Sequence, residues 1–188
     1  RQQTAPVAKQ KREKGKNPGG KDLYHEAETL FQGGCYEEAR IKLQKLLVDD
    51  TLPADNEYQR MALSLLAKVC ANQGNLSEAR NLGEQAIIKD KLNPAAYYFL
   101  ASVCQEQGDH GESVRLLKQS LYLDHDFVLA HFHLASLVPN QTEAKKHLKN
   151  TLSLLNTRTA DEVLPGSDGL TVGRLLETVQ SMLHRIGD

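Results

Sequence analysis

Apolar residues between Lys21 and Leu155 recur at the spacing of helices. Leu63, Leu66, Ala67 and Cys70 stand at i, i+3, i+4 and i+7, and Tyr97, Leu100, Ala101 and Cys104 do the same. Shorter stripes follow each set: Ala39, Leu43, Leu46 and Leu47 early in the chain, and Val114, Leu117 and Leu121 later. The pattern repeats itself. The small residue inside each leading stripe is Ala27, Ala67, Ala101 or Ala135, at intervals of 40, 34 and 34. Seven residues beyond the first three stands Gly34, Gly74 or Gly108, and twelve beyond stands Ala39, Ala79 or Ser113. Each unit therefore predicts a helix, a glycine turn and a return helix. A small residue at the aligned positions lets the helix axes approach closely, where a larger side chain would hold them apart.

The expected units are residues 21–52, 60–93, 94–127 and 128–155. Pro94 opens the third at a helix start, where a missing N–H costs nothing. Six extra residues separate the first two units, around Leu52-Pro53-Ala54-Asp55-Asn56. The fourth lacks the glycine, and Pro139-Asn140-Gln141-Thr142 supplies a shorter turn before Ala144 and Leu148 resume the return helix. Residues 156–170 read as a loop, because Pro165 and the glycines around it break a helix. Thr171 is placed to cap a last helix over 171–187, with Val172, Leu175, Leu176, Val179, Met182 and Leu183 on one stripe. A lone amphipathic helix needs a surface to cover, and the open end of a stack of repeats is such a surface.

Composition changes this picture little. The chain has 188 residues, 40% hydrophobic and 25% charged, with no Trp, so Leu and Ala must build the core. No apolar run approaches the roughly 18 residues that cross a bilayer. Charge is uneven. Residues 1–21 hold seven basic side chains against Glu13 alone, a net +6 in a chain of net −1. Residues 1–20 read as a disordered basic linker; nucleic-acid or anionic-lipid contact is the disfavoured reading. Gly15, Gly20 and Lys21 fit the start of a phosphate-binding loop, but Asp22 stands where Ser or Thr is needed and no apolar strand precedes it. Cys35, Cys70 and Cys104 are odd in number and spaced by the repeat, not as metal ligands, which argues for a reducing, cytoplasmic setting. His131 and His133, two apart, point about 200° apart on a helix and cannot share a metal. The histidines read as surface or groove residues, and no metal site is expected.

The 34-residue period, with Leu-Ala, Gly and Ala at fixed offsets, resembles the tetratricopeptide repeat (TPR) over about 135 residues. The resemblance implies an all-α, right-handed superhelix of about four helix-turn-helix repeats plus the C-terminal capping helix. It also implies that the first helix of each unit lines a concave groove that binds a protein or peptide. The groove positions are then Tyr24, Glu28, Phe31, Gln32, Met61, Ser64, Lys68, Asn72, Tyr98, Ser102, Gln105, Glu106, Phe132 and Ser136. Aromatic anchors beside amides and hydroxyls suit a segment that needs both apolar contact and hydrogen bonds. The carboxylate clamp of TPR co-chaperones is incomplete: Lys21 and Lys68 fit, but His25 stands where that clamp uses Asn.

A second resemblance rests on Asp126-Phe127-Val128-Leu129-Ala130-His131-Phe132-His133-Leu134-Ala135, on Ala144-Lys145-Lys146-His147-Leu148, and above all on Leu164-Pro165-Gly166-Ser167-Asp168-Gly169-Leu170-Thr171. These stretches look like the C-terminal TPR region of CheR-type chemoreceptor methyltransferases, which transfer a methyl group from S-adenosylmethionine to receptor glutamates. No catalytic or cofactor residue carries over, so this chain is expected to be a non-catalytic regulatory or docking part. S-adenosylmethionine is expected only in an upstream domain. The partners expected are a chemoreceptor, a signalling protein or the parent catalytic domain. The alternative is a free-standing TPR scaffold in pilus assembly or secretion.

Overall fold

A computed structural model describes residues 19–50, 56–167 and 169–187. The basic segment, apart from its last two residues, and the extra residues at 51–55 lie outside them. The described residues form nine helices: α1 (Gly20–Gln32), α2 (Tyr36–Leu47), α3 (Glu57–Asn72), α4 (Leu76–Lys89), α5 (Pro94–Glu106), α6 (His110–Leu123), α7 (Val128–Leu137), α8 (Gln141–Leu155) and α9 (Val172–Ile186). Successive pairs stack into a TPR superhelix of four units, closed by α9.

The glycine turns show why the pattern folds this way. Gly34, Gly74 and Gly108 take φ of 76°, 78° and 82°, a left-handed backbone that favours glycine. Each closes its helix alike. The N–H of Gly34 donates to Phe31 O and that of Cys35 to Leu30 O; Gly74 and Asn75, then Gly108 and Asp109, repeat both bonds. The α7–α8 turn needs no such residue, because Val138 is extended and the Asn140 side chain accepts from the N–H groups of Thr142 and Glu143.

Two helices start earlier than the apolar pattern suggests. Gly20, read as the end of the linker, opens α1. α3 begins at Glu57, three residues before the expected start of its unit, because Asn56 Oδ1 accepts from Tyr58 N at 2.8 Å and Gln59 N at 3.4 Å.

The aligned small residues lie at the helix contacts: Ala27, Ala39, Ala67, Ala79, Ala101 and Ser113 are fully buried. So are Cys70 and Cys104; Cys35, in the first turn, is exposed, and all three thiols are free. Burial, with Glu78 beside it, pushes the Cys70 thiol up to about 11. Arginines tie one unit to the next. Arg40 grips both carboxylate oxygens of Glu78, at 2.8 and 2.9 Å, and Arg80 reaches Asp109 at 3.3 Å and Gln107 at 3.2 Å.

At the C-terminal end Val172, Leu175, Val179 and Leu183 of α9 bury against Val128, Leu129, Leu148 and Leu155. α8 also satisfies carbonyls that α9 cannot: Lys145 Nζ donates to Gly187 O at 2.7 Å and Gln141 Nε2 to Ile186 O at 3.4 Å. Among the described residues, no helix is long and apolar enough to cross a membrane.

Candidate functional site

The concave face holds two adjoining hollows, of about 760 and 520 Å³. Both are lined by Ser64, Lys68, Asn72, Ala86 and Asn93, so they form one continuous groove. The first lies between α1 and α3. Tyr24, Glu28, Phe31, Gln32 and Met61 line it, together with Tyr36, Glu57, Arg60 and Asp90. The second lies between α3 and α5. Tyr98, Ser102 and Glu106 line it, with Phe99, Phe127 and a floor of Ala67, Ala71, Gly83, Ala95 and Ala96. The floor is hollow because its side chains are small. At Gly83 a Cβ would sit 3.2 Å from Leu100 Cδ1, so a side chain there would have to push that leucine aside.

Eleven of the fourteen expected groove residues line one of these hollows; Gln105, Phe132 and Ser136 line neither. Phe132 is half-buried in the cluster under α9, and Ser136 turns its hydroxyl back to Phe132 O. Phe132 is partly covered because the chain after α8 packs against the last unit, whereas Ser136 is exposed outside both hollows.

Two of the aromatic groove residues are held by their neighbours. Tyr24 is 6% exposed, and its ring packs against His25 and Tyr58. Burial is the main cause, and Glu28, which accepts from the phenol at 3.4 Å, the second, of a Tyr24 hydroxyl pushed up to about 12. The Tyr98 ring packs tilted against Phe127, centroids 5.2 Å apart, and its hydroxyl lies 3.4 Å from His133 Nε2, so the ring stands as a fixed wall of the second hollow. The charged side chains on the face are mixed: Glu28, Glu57, Asp90 and Glu106 against Arg60 and Lys68.

The sequence reading of 156–170 as a loop did not place it in the groove. Pro165, Gly166 and Ser167 line the second hollow, and Gly169 reaches the first. The loop is built to stand there. Leu164 is 2% exposed, Val163 and Thr171 form a β-bridge, and Leu164 N donates to Leu170 O at 3.0 Å. Ser167 Oγ lies 2.6 Å from Leu164 O and accepts from Leu170 N at 3.1 Å. Gly173 N donates to Ala160 O at 2.8 Å, so close that a Cβ on Gly173 would meet that oxygen at 3.1 Å. A buried leucine between polar residues was the available signal, but nothing in the sequence says which surface such a loop folds against.

Two tetratricopeptide repeat profiles match, one at residues 62–92 and one at 96–127. These stretches are tetratricopeptide repeats. No curated protein matches the chain. Among solved structures, a crystal structure of MamA superposes with a TM-score of 0.65 at 19% identity, over 76% of this chain and 81% of that one. MamA of Desulfovibrio magneticus RS-1 does so with 0.60 at 17%, over 74% and 76%. The type III secretion chaperone SycD of Yersinia enterocolitica, in complex with a peptide of the translocator YopD, gives 0.61 at 17%, over 71% and 96%. At such identities the likeness shows the TPR fold alone.

Proposed function

We propose that the groove of this TPR domain binds an extended or helical segment of a protein partner. The observation that carries this reading is the continuous concave face: an aromatic-walled apolar hollow joined to a polar one. Such a surface takes an apolar side chain in one part and hydrogen-bonds the partner in the other. The SycD relative, whose structure holds a translocator peptide, supports the reading by analogy of fold. Peptides selected on the full chain from a random displayed library test it. The selection should yield a common motif, and Ser102→Arg, which puts a long cation into the second hollow, should weaken the selected peptide at least about tenfold, roughly 1.4 kcal/mol. Equal affinity for the variant would place binding elsewhere.

The fuller reading is that this domain is the regulatory or docking part of a CheR-type chemoreceptor methyltransferase. What supports it is the resemblance of the C-terminal stretches, above all Leu164–Thr171. S-adenosylmethionine would then be bound by a domain encoded before Arg1, and the groove would recruit a receptor, a signalling protein or that catalytic domain. The sequence encoded immediately upstream decides the matter. A glycine-rich strand-loop-helix of the S-adenosylmethionine-binding type is expected there. A start codon within a few residues would leave the free-standing scaffold of pilus assembly or secretion as the reading.

A further inference from the structure

His131 of α7 and His147 of α8 meet Nδ1 to Nδ1 at 2.8 Å, with their rings 5.1 Å apart. His131 is 7% exposed, and its other nitrogen, Nε2, lies 3.0 Å from the backbone carbonyl oxygen of His125 in the α6–α7 turn. A carbonyl only accepts, so His131 Nε2 carries a proton. Neutral His131 then has a lone pair on Nδ1, and His147 must donate from its own Nδ1. The pair thus fastens three elements through one defined tautomer of each ring. A first added proton is tolerated, because it can go to His147 Nε2 and leave the Nδ1–H donor in place. A second proton puts an N–H on both facing atoms and two positive charges within a hydrogen-bond length, and the contact cannot persist.

The surroundings act on the pair in both directions. Burial holds His131 below its ordinary value of 6.5; the bond to His125 O and Asp126 oppose this, while the His125 ring and Lys146 add to it. Burial also lowers His147, with His131, Lys146 and Lys118 adding to it and Glu143 opposing. Lys118 and Glu143 are themselves paired at 3.2 Å, so they largely offset one another. With folded-state values below the unfolded ones, the unfolded segment takes up the extra protons. The stability contributed by the neutral pair is therefore complete above about pH 6.5 and is lost as pH falls through that value toward the folded-state ones.

We propose that the His131–His147 pair is a proton-operated latch on the C-terminal unit. What it holds shut reaches the groove. His131 N donates to Phe127 O at 3.3 Å, and Phe127 is part of the wall of the second hollow, beside Pro165–Ser167. The terminal unit of a stack of repeats touches only one neighbour, so it opens without the rest. Acidification below about pH 6.5 loosens α7, α8 and the cap while the first units stay folded. The latch does not depend on what the groove binds.

Two measurements on the full chain test it. Nitrogen-15 NMR of the histidine rings at pH 8 should show His131 protonated on Nε2 and His147 on Nδ1. Both rings in the common Nε2–H form and averaging freely would overturn the latch. Hydrogen exchange, corrected for intrinsic rate, then follows the opening of α7–α9 from pH 8 to 5. His147→Asn keeps an N–H donor near the position of Nδ1 but removes one titrating ring. Below pH 6.5, opening of α7–α9 in the wild type should rise up to about tenfold more per pH unit than in His147→Asn, the effect of one extra proton, while α3–α4 change little. Identical pH profiles for the two proteins, or equal loosening of α3–α4, would overturn it. If His147→Asn does not fold, the ring nitrogens and the wild-type contrast between α7–α9 and α3–α4 decide alone.

Discussion

At the scale of single residues, position within the unit decides chemistry. Cys70 and Cys104 fill small gaps between helices, and burial raises both thiols, Cys70 to about 11. A thiol needs its thiolate to react, so both stay inert in the folded protein, whereas Cys35 is exposed in a turn. A disulfide-exchange reagent at pH 8 should modify one thiol rapidly, and mass mapping should place it on Cys35. The other two should react only in denaturant, and rapid modification of all three would contradict the packing. His131 shows how far a residue's setting escapes local reading. It reads as a surface or groove histidine, but the structure buries it at 7% exposure, because its partner His147 comes from the next helix. The helical angle was legible: His131 faces α8, while His133 turns toward Tyr98.

At the scale of elements, capping side chains set the boundaries that apolar periodicity misses. Asn56 and Asn93 each accept two backbone N–H groups, and Pro94 follows the second at a position that needs no donor. The α3 start shows the difference. Its first turn, Glu57-Tyr58-Gln59-Arg60, carries little of the apolar stripe, so the stripe by itself begins later. Asn56→Ala should destabilise the domain by about 1 kcal/mol, measured by urea unfolding. A negligible effect would show that tertiary packing alone holds that turn. The glycine turns were legible for a simple reason: a left-handed φ after a helix is a local demand that glycine meets most cheaply, and it recurs at one offset in three units.

At the scale of the whole molecule, stability is shared between neighbours along the stack. The buried clusters cross unit boundaries, and the last contains α9 and Leu164 as well as α7 and α8. Val179 is fully buried in it. Val179→Asp should place an unpaired carboxylate there, costing several kcal/mol locally. Hydrogen exchange should then show α7–α9 unprotected and α1–α4 near wild-type protection. Uniform loss would mean that the stack folds as one cooperative unit.

The fold was written in the sequence because every feature that makes it is short-range: an apolar stripe, a small residue at the crossing, a glycine at the turn, a cap. Repetition of these at 34 residues gives each unit the same neighbour contacts, so the superhelix follows from the unit. The TPR resemblance, rather than the spacing by itself, assigned Tyr24, Phe31, Ser64, Lys68, Tyr98 and Ser102 to the groove side, and these six line the hollows. Three things depended on the tertiary structure. Pro165, Gly166, Ser167 and Gly169 line the groove, Phe132 packs half-buried against the cluster under α9, and two histidines 16 residues apart become one hydrogen-bonded pair. Each joins segments that do not share a repeat position, and contacts of that kind are chosen by packing in three dimensions, which no periodicity along the chain records.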